Sequence, residues 1–63
     1  MRITLKAARV NAKLTQEEAA KRIGVAKKTI HNWETGKVVP TSDKIPPICD
    51  VYGRHYDEIK WTK

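Results

Sequence analysis

Phenylalanine is missing from this chain of 63 residues, cysteine occurs once, and glycine and proline occur three times each. No apolar run approaches the roughly 20 residues that a membrane-spanning helix needs, and MRITLKAARV lacks the layout of a signal peptide. A lone Cys49 cannot close an internal disulfide, which suits a reducing compartment. These absences point to a soluble, cytoplasmic chain. Cys49, His31 and His55 never fall two to four residues from one another, so no zinc-like spacing occurs and no metal is expected. There is no glycine loop to cradle a phosphate and no nucleophile signature. A domain this small buries only about 60% of the surface its unfolded chain exposes, which leaves little room for a catalytic cleft. No enzyme activity, cofactor or small-molecule substrate is therefore expected, and Cys49 is read as filling space beside a helix.

Negative charge is also scarce where it would matter. Residues 1–39 hold nine Lys or Arg against three Glu, whereas residues 40–63 hold four of each sign, so the whole net charge of +6 belongs to the first part. General solubility would not require that segregation, and a face for a polyanion such as nucleic acid explains it better.

What the chain does have is concentrated between Gln16 and Thr35, QEEAAKRIGVAKKTIHNWET. Apolar residues at Ala19, Ala20, Ile23, Val25, Ile30 and Trp33 recur at helical spacing in two halves. Gly24 stands between them, where a helix end needs positive φ, and Ala20 is small enough for a second helix to cross closely. This pattern predicts a helix-turn-helix. On the second helix, Lys27 to Glu34, a wheel puts Ala26, Ile30 and Trp33 on one side and Lys28, His31 and Asn32 on the other. Lys27 and Lys28 add positive charge to a helix start that is already positive, and Ala26 occupies the N-cap without a capping oxygen. Such an end suits an anionic partner.

Thr15-Gln16-Glu17-Glu18, Ala20, Gly24-Val25, Thr29-Ile30 and Trp33-Glu34-Thr35-Gly36 together resemble the DNA-binding domain of the Xre family, the group of phage Cro proteins and lambdoid repressors. The resemblance covers about Leu5 to Ile59. It implies a compact, all-α, five-helix lambda-repressor-like domain, residues 1–63 forming one unit with the helix-turn-helix in helices 2 and 3. It also implies that Gln16 hydrogen-bonds a phosphate and that Arg9 pairs with Glu34. Three positions depart from the family pattern. Ala19 stands where Leu is usual, Ala26 replaces a capping Ser or Thr, and Lys13 takes a place often held by Gly.

Residues 3–12 read as the first helix, with Leu5, Ala8, Arg9 and Ala12 on one face and Ile3, Ala7, Val10 and Leu14 on the other. Periodicity does not choose between the two stripes, and the resemblance favours the Leu5 side. Glu34 lies about 40° from Ile30 on the inward side of its wheel and Arg9 is flanked by apolar residues, which supports the pairing; the alternative is two snorkelling surface charges. Thr15 and Glu18 have capping-box spacing. Lys21 and Arg22 read as solvated charge. Gly36 should end the third helix, and Lys37-Val38-Val39-Pro40 should form a loop beside it. Thr41, Ser42 and Asp43 offer capping groups, Pro46-Pro47 place the start of a fourth helix near Pro47, and Gly53 ends it. One more helical turn opens at Tyr56 or Asp57, followed by a short extended tail. Trp61 either contacts a second copy or folds back over the fifth or first helix.

The resulting expectation is a sequence-specific regulator of double-stranded DNA with its third helix in the major groove. Lys28 and Asn32 are one turn apart and can reach base edges, Lys toward guanine and Asn toward adenine. Lys27 reads a base or binds phosphate, while Gln16, Thr29 and Lys37 position the domain and His31 adds a hydrogen-bonding side chain. By resemblance this is a Cro-like repressor of a phage or mobile element, acting as a homodimer on a palindromic operator. The alternative is a protein-binding adaptor such as an antitoxin or antirepressor, using the Ile3, Ala7, Val10 stripe or the Trp61 tail, with DNA binding secondary.

Overall fold

Two threonines start the first two helices. Each has extended backbone, and each hydroxyl accepts the N–H three residues on, Thr4 from Ala7 at 3.0 Å and Thr15 from Glu18 at 3.1 Å. Glu18 completes the capping box by accepting the Thr15 N–H at 2.9 Å. That bond and the Thr15 hydroxyl hold its carboxyl below the usual range. In the computed structural model, which describes residues 1–62, the order is β1 (Ile3–Thr4), α1 (Leu5–Asn11), α2 (Gln16–Ile23), α3 (Lys27–Thr35), α4 (Ile45–Tyr52) and β2 (Ile59–Lys60). Two 3₁₀ turns flank α4, at Ser42–Lys44 and Tyr56–Glu58.

Gly24 ends α2 at φ 90°, with its N–H on the Ala20 carbonyl at 2.8 Å. A side chain there would meet open space, so the requirement for glycine comes from the left-handed backbone and not from crowding. The turn lets α3 fold back across α2. Ala19 and Ala20 are buried at the crossing, where the small side chains permit close approach. Ile30 and Ile48 are fully buried, and the same cluster holds Leu5, Ala8, Leu14, Ile23, Trp33 and Tyr52. The Leu5 face of α1 therefore turns inward, leaving Val10 exposed. Leu14 also reaches the core, because it lies beyond the end of α1 and is no longer bound to that helix's wheel.

Three expectations need correction. The fifth helix near Tyr56 is only a three-residue 3₁₀ turn, so the described residues form four α-helices. It is held by the His55 N–H on the Glu58 carboxylate at 2.8 Å, and Ile59 then turns to extended backbone. Second, the N-terminal end is not helical, whereas Ile59 and Lys60 are extended as expected of the tail. Ile3 pairs with Ile59 and Thr4 with Lys60 in a minimal parallel sheet, which replaces the first turn of the expected helix 3–12 and buries Ile59. Third, α4 begins at Ile45, two residues earlier than expected. Pro46 and Pro47 fall in its first turn, where the N–H groups have no intrahelical acceptor to lose.

Trp61 is accommodated within the chain. Its ring stacks on Tyr56 with centroids 5.5 Å apart, and its Nε1 donates to the Tyr56 carbonyl at 2.9 Å.

Candidate nucleic-acid interface

The residues singled out for DNA fall on α3, on the first residue of α2 and on the loop after α3. α3 follows from its sequence: Ile30 and Trp33 anchor its inner side, while Lys27, Lys28 and His31 are exposed. Thr29 and Asn32 are half-buried at the margin of the outer face. Ala26 has extended backbone and gives no side-chain cap, although its carbonyl accepts from Thr29 at 3.0 Å and weakly from Ile30 at 3.4 Å. The start of α3 thus carries two lysines and an uncapped turn. Among the described residues, the ion pair present joins Arg9 to Glu34 and leaves Lys27, Lys28 and Lys37 without a carboxylate partner.

The loop is fastened to α3 by backbone bonds. Gly36 takes left-handed backbone, φ 81°, and donates to the Trp33 carbonyl at 3.3 Å. The Asn32 carbonyl accepts from the Val38 N–H at 3.2 Å and from the Thr35 hydroxyl at 3.3 Å. The Asn32 carboxamide makes no hydrogen bond among the described residues, so its donor and acceptor stay free. Lys37 is exposed beside this anchored segment, next to Val38.

Gln16 is arranged differently from the others. It is half-buried at the start of α2, and its Nε2 donates to Glu34 Oε1 at 3.0 Å. Arg9 reaches the same carboxylate with two bonds, Nε to Oε2 at 2.6 Å and Nη2 to Oε1 at 3.2 Å. Its Nη1 donates to the Leu14 carbonyl at 2.8 Å. The Glu34 bond raises the Arg9 pKa above its ordinary value, against the opposing effect of burial. Sequence reasoning missed the Gln16 and Leu14 members of this cluster. Gln16 and Glu34 are 18 residues apart and meet only because α3 crosses the start of α2.

A cleft of about 260 Å³ lies elsewhere, lined by Cys49, Asp50, Gly53, Arg54 and His55. Burial pushes the Cys49 thiol up, so it stays protonated. Among the described residues no group of three or more His, Cys, Asp or Glu could hold a metal ion, and no helix is long and apolar enough to cross a membrane.

Comparison with known proteins agrees with this geometry. The family described as Helix-turn-helix matches residues 5–59. This chain belongs to the Xre-type helix-turn-helix family. The match takes in α1 to α4 and runs to the first residue of β2, so the helix-turn-helix chain departs from the family span only at its two ends. The chain is also similar to an uncharacterized HTH-type transcriptional regulator of Archaeoglobus fulgidus, with 37% identity over 59 residues, covering 94% of this chain and 83% of the relative. No solved structure matches it.

Proposed function

We propose that this protein is a sequence-specific regulator that binds double-stranded DNA with α3 in the major groove. The observation that carries the reading is the outer face of α3: Lys27, Lys28 and His31 exposed, Asn32 with an uncommitted carboxamide, and no carboxylate among the described residues paired to the lysines. Lys28 and Asn32 read base edges, as lysine donates to guanine O6 and N7 and asparagine pairs with adenine N6 and N7. Lys27 adds positive charge at the helix start, Thr29 flanks the base-reading residues, and Lys37 binds the phosphate backbone. The finer reading, a Cro-like repressor of a phage or mobile element, rests on the resemblance of the Thr15 to Gly36 motif.

The domain measures 27 × 23 × 19 Å, shorter than the about 34 Å of one duplex turn, so it reads one half-site. Two copies on a palindromic operator would cover both half-sites of one duplex turn. The protein-binding alternative has less support. Ile3 is engaged in the β1–β2 pairing and Trp61 in its stack on Tyr56, which leaves Val10 as the exposed remainder of the stripe. Selection from randomised duplexes at physiological salt tests the reading. An enriched palindrome is expected, and affinity no better than about 10⁻⁴ to 10⁻⁶ M on every sequence would favour the adaptor.

A further inference from the structure

The cluster joining Arg9, Glu34 and Gln16 does more than close the core. A glutamine at the start of a helix is ordinarily a flexible side chain that must be ordered before it can grip a phosphate. Here one amide hydrogen of Gln16 is already on Glu34 Oε1 at 3.0 Å, and the carboxylate fixes which end faces it, because only the NH₂ end can donate. The second amide hydrogen remains for a ligand. Glu34 alone would be a poor support, since a bare carboxylate behind the clamp repels the phosphate it should hold. Arg9 removes that objection with two bonds to the same carboxylate, and is itself fixed by the Leu14 carbonyl. The pair is withdrawn from water, with side chains 10% and 5% exposed, so its geometry does not compete with solvent.

We infer that Glu34, neutralised by Arg9, is a positioning residue that pre-orders the Gln16 amide for a DNA phosphate. This rests on the DNA-binding reading above, with Gln16 at a phosphate as the family resemblance implies, and adds a role to an ion pair that would otherwise be purely structural. Ordering one such side chain in advance is worth roughly two- to tenfold in affinity, independent of base sequence.

Glu34→Ala alone would strand a buried guanidinium and risk unfolding, so the test replaces both charges. Arg9→Met with Glu34→Leu keeps volume and apolar packing, an exchange that buried ion pairs often tolerate. It also leaves net charge unchanged, so long-range attraction to DNA is preserved. Duplex affinity is measured for the parent chain, for this double variant, for Gln16→Ala and for all three changes combined. Side-chain amide NMR of Gln16 in the free protein is recorded alongside. The expected result is a restricted amide in the parent and an averaged one in the double variant. Affinity should fall two- to tenfold in the double variant and at least as far in Gln16→Ala, with the triple variant no weaker than Gln16→Ala. A double variant that binds as tightly as the parent overturns the positioning role. So do losses that simply add, or a Gln16 amide already averaging in the parent. If the parent chain binds no duplex, the regulator reading fails and takes this role with it, an outcome distinct from tight parental binding with additive losses.

Discussion

Asn32 sits half-buried at the edge of the α3 outer face, with its backbone carbonyl tied to Val38 and Thr35 and its carboxamide free. That fixes the main chain beneath a side chain that still has both a donor and an acceptor to offer. Asn32→Ala should therefore relax preference at one base pair and cost about 1–3 kcal/mol on the preferred site. Titration against single-base variants checks this, and an equal loss on random duplex would remove Asn32 from base reading. Lys37 is different, being an exposed charge beside an anchored loop. Lys37→Ala should weaken binding to all sequences and flatten the dependence of log affinity on log salt by about one unit. Lys13 shows a third behaviour. It takes φ 62° just after α1, a left-handed backbone that costs a side-chain-bearing residue about 1–2 kcal/mol. Lys13→Gly should raise stability by up to about 1 kcal/mol after the glycine's own entropy loss, measured by denaturant midpoint at unchanged slope.

α2 and α3 begin in opposite ways. α2 has a complete capping box and two acidic residues in its first turn, both of which favour a helix N-terminus. α3 has no side-chain cap and no acidic residue there, and opens with two lysines. The contrast separates a helix start optimised for folding from one left available to an anion. Ala26 already has extended N-cap backbone and is exposed, so Ala26→Ser needs no rearrangement. It should stabilise the chain by about 0.5–1 kcal/mol, visible as a raised thermal midpoint. An unchanged midpoint would mean that the α3 start is satisfied in some other way.

Tyr52, the last residue of α4, is buried close enough to the ion pair linking α1 to α3 to feel both of its charges. Burial pushes its phenol from 10.0 up to about 12; the Glu34 carboxylate adds to the rise and Arg9 opposes it. Between those values the folded chain keeps a proton that the unfolded chain releases. Stability must then fall as pH climbs from about 10 to about 12, by at most about 2–3 kcal/mol for this group. Tyr52→Phe should flatten that alkaline decline, read as denaturation midpoints at several pH values in the window. A decline as steep as in the parent would assign the effect to other groups. The closure of the fold also belongs to the whole chain: β1 and β2 bring residues 3–4 against 59–60 and cover the core with Ile59, which is 1% exposed.

Much of this was legible in local residue patterns. The Thr15 and Glu18 spacing, the glycine after Ile23 and the Ile30 to Trp33 periodicity act over three or four residues, so α2, the turn and α3 follow from short-range hydrogen bonding and helical geometry. The outward placement of Lys28 and His31 follows from the same geometry. Contacts between residues distant in the chain had no such local signature. The two-residue pairing of the ends, the reduction of a fifth helix to a 3₁₀ turn, and the hydrogen bond from Gln16 to Glu34 depend on how helices cross. A side chain's partner 18 residues away is set by packing of the intervening elements, which periodicity does not encode.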